Sequence, residues 1–153
     1  MSRREQIKLS ASEVAAFLAE ERTVTCATAG PRGWPHLMPL WYVVRERELW
    51  AWMYAKSQKV RNLERDDRAT LQVEDGVEYQ ELRGVMLETR AVIHRELEVV
   101  TGAGVEIFAR CGGAAPAPDA RAALRAQASK RVALQFVTER VASWDHSKLS
   151  GVY

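Results

Sequence analysis

Hydrophobic positions recur along this chain at two spacings, helical and extended, and the switches between them mark its elements. Ser10 and Glu13 form a capping-box pattern, so a helix is expected over 11–21 with Val14, Phe17 and Leu18 on its apolar face. Residues 23–29 are β-branched and small, which predicts a strand. Gly30-Pro31-Arg32-Gly33 is then a turn signal leading to a hairpin partner over 34–44. That partner is apolar on both sides: Leu37, Pro39, Trp41 and Val43 share one face, Met38, Leu40, Tyr42 and Val44 the other. Such a strand needs cover on both faces. Pro35 and Pro39 cannot donate to a ladder, which places an edge or a bulge near Pro39.

After the charged turn Arg45-Glu46-Arg47-Glu48, residues 49–54 return as a second strand without a polar side. Ser57 is a natural N-cap for a short helix with Val60 and Leu63 on its inner face and Lys59, Arg61 and Asn62 on or beside its polar side. An alternating strand over 69–74 ends at Asp75-Gly76. The longest strand covers 81–94, with Val85, Leu87, Thr89, Ala91 and Ile93 on one face, and is long enough to bend around a barrel. Residues 96–110 read as a helix although Gly102 and Gly104 each cost about 1 kcal/mol relative to alanine. A loop over 112–118 follows, then a short helix capped by Asp119 and ending near Lys130. A strand over 131–144 turns Val132, Leu134 and Phe136 inward, and the tail 145–153 has no core pattern. Antiparallel strands with few helices predict a mainly β (α+β) fold. The expected architecture is a small closed or split β-barrel of six antiparallel strands with flanking helices, in a single domain over 1–153, and the split form is the one implied by the family resemblance given below.

Composition narrows the class. The 153 residues are 47% hydrophobic and 27% charged, as expected of one globular domain with a real core. A formal charge of +2 is too mild for a nucleic-acid partner, and no apolar run approaches membrane-spanning length. Cys26 and Cys111 stand in no CxxC or Cys/His spacing and follow no signal-like stretch, so a reducing cytoplasm is expected. His36, His94 and His146 are scattered without Glu or Cys at ligand spacing, and neither a nucleophile elbow nor a P-loop is present. No metal site is expected, and no side chain is assigned a catalytic role.

The richest chemistry lies where the 49–54 strand meets the Ser57 helix. A helix N-terminus presents unpaired N–H groups and partial positive charge, and here Lys56 and Lys59 add two ammoniums. A phosphate placed there meets all three attractions, although solvated helix faces also carry lysines.

Lys56-Ser57-Gln58-Lys59-Val60-Arg61-Asn62-Leu63, Val73-Glu74-Asp75 and Tyr79-Gln80-Glu81-Leu82-Arg83-Gly84-Val85 together resemble the split-barrel flavin and deazaflavin oxidoreductases related to pyridoxamine 5′-phosphate oxidase. The shorter chain and the Trp144-Asp145-His146 tail are most similar to the actinobacterial branch that depends on the deazaflavin F420. The resemblance implies a homodimer with two cofactor sites at the subunit interface, F420 or alternatively FMN as cofactor, and a small-molecule substrate. It implies that Lys56, Ser57, Gln58, Lys59 and Asn62 surround the cofactor phosphate. It further implies that Met38, Pro39, Leu40, Trp41 and Tyr42 run along the tricyclic ring, and that Trp144 and Lys148 reach it from the partner. The implied activity is hydride transfer by F420, with an FMN oxidase or reductase and a non-catalytic binding protein as alternatives. Two departures stand out: the end Lys148-Leu149-Ser150-Gly151-Val152-Tyr153 lacks the Arg-Leu-x-Pro element of the oxidases, and Thr89 stands where many relatives carry glycine.

Overall fold

The computed structural model describes residues 1–149 and 151. Six strands, β1 (Thr23–Ala29), β2 (Pro35–Arg45), β3 (Glu48–Tyr54), β4 (Arg68–Asp75), β5 (Arg83–His94) and β6 (Arg131–Asp145), close into an antiparallel barrel in the order β1-β2-β3-β6-β5-β4. The helices are α1 (Arg3–Gln6), α2 (Ala11–Glu20), α3 (Gln58–Arg65), α4 (Leu97–Gly112) and α5 (Pro118–Ala128). Inward positions alternate along the strands. Val24, Cys26, Leu49, Ala51, Leu71, Val73, Val85, Leu134 and Phe136 are buried in one core that α2 and α3 complete with Phe17, Leu18, Val60 and Leu63.

Local chemistry fixes most boundaries. Ser10 caps α2 by accepting from Glu13 N at 3.2 Å, and Ser10 N donates to Glu13 at 2.6 Å, as the capping pattern predicts. At its other end α2 is closed by a long-range cap, in which Arg110 of α4 donates to the carbonyls of Leu18, Ala19 and Glu21 at 2.9, 2.8 and 2.5 Å. The α5 cap differs from expectation: Ala117 is the N-cap and Pro118 opens the helix, because proline needs no intrahelical partner there, and Asp119 lies inside the first turn. The short α1, and the 3-10 turns Tyr79–Glu81 and His146–Leu149, have no counterpart in the hydrophobic pattern. Thr89 is buried at the β5–β6 bulge and donates to Ala69 O at 2.8 Å, so its hydroxyl is satisfied.

The cover expected on both faces of β2 and β3 comes from different sources. On β3, Trp50 and Trp52 point outward and pack beneath α4 and α5, against Val100, Ala103, Ala128 and Ala133. Gly104 lets α4 come that close, since a Cβ there would approach the Trp52 ring to 2.7 Å. Trp34, which leads into β2, and Leu37, Met38 and Trp41 on it are 75, 57, 47 and 54% exposed, so none of the described residues covers the first half of the strand or the residue before it.

Candidate functional site

β2 changes neighbours partway along. Residues 35–41 pair with β1, whereas only Tyr42 to Arg45 pair with β3, so the ladder between β2 and β3 is open below Tyr42. β3 meanwhile continues to Tyr54 against β6, and the chain turns at once into α3. The opening is a crevice of about 260 Å³, with His36 and Met38 on one wall, Trp52, Met53, Tyr54 and Arg131 on the other, and Ser57, Gln58 and Lys59 at its floor. Its lining contains no Asp or Glu.

α3 begins as expected, with Ser57 accepting from Val60 N at 3.4 Å, and its first turn holds no acidic residue. Its polar side is not where the helical period puts it. Asn62 is fully buried: its Nδ2 donates to Thr28 Oγ1 at 3.0 Å while its Oδ1 accepts from Gln58 at 2.8 Å and Arg65 at 3.3 Å. Arg65 also donates to Ala29 O at 2.6 Å, so this seam pins α3 to the end of β1. Both polar atoms of the Asn62 side chain are therefore engaged by its own chain. Lys59 is only 4% exposed, and burial lowers its pKa, opposed by the neighbouring Cys26. The Cys26 thiol is itself pushed up to about 11 by burial, an effect that Lys59 moderates. A solvated helix face accounts for Lys56 and Arg61, which are exposed, but not for Lys59.

Three buried polar atoms among the described residues lack a hydrogen-bond partner: His36 Nδ1, Trp52 Nε1 and Arg131 Nε. All three residues line this crevice. Buried polar groups are normally paired, and three residues with unpaired buried atoms around one crevice make it the candidate place for a polar ligand. The Arg131 guanidinium carbon lies over two rings, 4.2 Å from the centroid of Trp52 and 4.0 Å from that of Tyr54. None of His36, Trp52 and Arg131 stands out in the sequence. The only signal was a cation opening an apolar strand, and its meaning depends on the β3–β6 register that sets Arg131 opposite Tyr54.

The remaining predicted residues separate. Met38 joins Ser57, Gln58 and Lys59 in the crevice, while Pro39 and Trp41 are exposed beside it and Leu40 leans on the core. The Tyr42 side chain faces away from the crevice. It is fully buried, donates to Leu18 O at 2.7 Å, and its hydroxyl pKa is raised to about 12 by desolvation. Trp144 and Lys148 lie at the other end of β6 from Arg131, roughly 40 Å away along the strand at ~3.3 Å per residue. Trp144 packs over Gly84, and Lys148 donates to Lys8 O at 3.1 Å and to Glu13 at 2.8 Å. Within one chain they do not meet the crevice. Of the tail beyond them, Ser150, Val152 and Tyr153 lie outside the described residues.

An antiparallel barrel whose ladder opens between two strands, with a cationic floor free of Asp and Glu at a helix N-terminus, is a split barrel with a crevice suited to an anion. The chain belongs to the pyridoxamine 5′-phosphate oxidase family, whose profile matches residues 10–145. It is similar to the crystal structure of a conserved hypothetical protein from Mycobacterium tuberculosis, at 39% identity and TM-score 0.90, over 100% of this chain and 95% of that one. A FAD-binding protein from Mesorhizobium loti shares the fold at 18% identity and TM-score 0.67, over 89% of this chain and 94% of that one. An F420 reductase does so at 20% identity and TM-score 0.64, over 83% and 94%. Among curated proteins nothing matches. No helix among the described residues is long and apolar enough to cross a membrane.

Proposed function

We propose that the protein is an oxidoreductase that uses the deazaflavin F420 to transfer a hydride to a small-molecule substrate, working as a homodimer. The observation that carries this reading is that His36, Trp52 and Arg131, each with an unpaired buried polar atom, line one crevice together with the buried Lys59, and that no Asp or Glu lines it. That donor set fits a phosphate: Ser57 and the N-terminus of α3 supply hydrogen-bond donors and dipole, and Lys59 supplies charge. A crevice of about 260 Å³ holds a phosphorylated tail but is below the usual size for a whole cofactor, so the tricyclic ring belongs along the exposed Met38 to Trp41 stretch. The bound cofactor carries the hydride. The protein's own residues anchor the phosphate, present an apolar wall to the ring, and exclude water once the second subunit covers Leu37 and Trp41.

The likeness to the F420 branch and to the F420 reductase favours the deazaflavin. FMN as cofactor of an oxidase or reductase is the second reading, supported by two cations, Lys59 and Arg131, without a carboxylate beside them, which suit the double charge of a terminal phosphate. Trp144 and Lys148 reach the ring from the partner subunit in either case. Purification from a host lacking F420 separates the two. Colourless protein that then binds added F420 and oxidises its reduced form with an acceptor supports the first, and yellow protein supports FMN. Binding without turnover against a broad set of acceptors would leave only a carrier.

A further inference from the structure

We infer that Arg131 is a second anion-binding residue of the crevice, which grips the phosphate jointly with Lys59, and that Trp52 and Tyr54 hold its guanidinium in place for that purpose. The inference rests on the proposed phosphate site. Arg131 and Lys59 come from different elements, the start of β6 and the first turn of α3, and are brought to one crevice by the pairing of Tyr54 with Arg131. An arginine whose guanidinium carbon lies over two aromatic rings is restrained by both, and its planar fork matches two oxygens of one phosphate. Its Nε is buried without a partner, and no Asp or Glu lines the space around it. Lys59, also buried and also without a carboxylate in that lining, leaves a second charge to be met at the same place. A purely structural arginine would be expected to pair with a carboxylate or with carbonyls, as Arg110 does at the end of α2.

FMN and riboflavin differ only by the phosphate and serve as matched probes, with F420 alongside. Their dissociation constants are measured by quenching of protein fluorescence for the parent, Arg131→Gln, Arg131→Lys and Lys59→Ala, each checked for an intact melting transition. The expected result is about a tenfold to hundredfold loss of FMN and F420 affinity in Arg131→Gln, partial recovery in Arg131→Lys, and unchanged riboflavin affinity. An equal loss for riboflavin would show that Arg131 only wedges the two rings apart, and would overturn the inference. Unchanged phosphate-ligand affinity in Arg131→Gln alongside a loss in Lys59→Ala would overturn it and leave the cradle standing. If neither variant weakens either ligand, or the parent binds neither, the proposed function falls together with the inference.

Discussion

Lys59 shows how far burial changes the meaning of a residue. A lysine on a solvated helix is neutral to stability, but one held 96% inside, without a carboxylate in the surrounding crevice, works against the fold until an anion arrives. Lys59→Ala is expected to weaken binding of the phosphorylated cofactor about tenfold to a hundredfold, while Arg65→Ala loosens the seam to β1 and lowers melting temperature instead. Lys59→Met is expected to stabilise the ligand-free protein by about 1 kcal/mol, read from denaturant melts. The pH dependence has a definite sign. The folded-state pKa of Lys59 lies below 10.5, so between the two values the unfolded chain binds more protons and stability rises with pH. Melts taken at rising pH up to 10.5 should show that slope in the parent and not in Lys59→Met; an identical slope in both would assign it to another group.

Among the elements, α4 matters to the site through a contact that leaves no mark in the sequence pattern. Gly104 lies over Trp52, and Trp52 both stacks on Arg131 and lines the crevice. Gly104→Ala therefore forces a rigid ring to shift, at a cost of roughly 1–3 kcal/mol, and should perturb cofactor affinity as well as melting temperature. Destabilisation with unchanged affinity would show that the ring moves away from the crevice. At the floor, Ser57→Ala removes the cap of α3 and is expected to cost about 1 kcal/mol. The far end of β6 answers to a different design. Asp145 N donates to Ile7 O at 2.8 Å and His146 N to Leu82 O at 3.0 Å, so removing everything after Ser143 would shorten the sheet itself. Substitutions at Trp144 and Lys148 are the cleaner probes of their proposed reach into the partner.

For the whole molecule the open question is what covers β2. Trp34, Leu37 and Trp41 are exposed on and just before β2, beside the Met38 wall of the crevice, and isolated chains seldom leave so much apolar surface bare. A second copy with the same surface would cover it by two-fold symmetry. Sedimentation should find a dimer at micromolar concentration. Trp41→Glu should yield monomers that keep their melting transition and lose cofactor affinity; a folded monomer with parental affinity would show that one chain suffices.

The sequence by itself determined the elements, because capping, turn chemistry and the two hydrophobic periods are local. Ser10, Ser57 and the turn after Ala29 act where they stand, and the strand bounds followed within a few residues. It also marked the floor of the site, since a strand, an N-cap and clustered lysines are neighbours in the chain. Only the tertiary structure decided which of those groups are buried and what faces them. The helical period put Lys59 and Asn62 on the polar side of α3, but β1 packs on that side, and Thr28 and Cys26 replace water there. The walls of the crevice come from residues 36, 52 and 131, which only barrel closure makes neighbours. Likewise, a strand apolar on both faces states that cover is needed, whereas packing decided that α4 supplies it for β3 and that none of the described residues supplies it for the first half of β2.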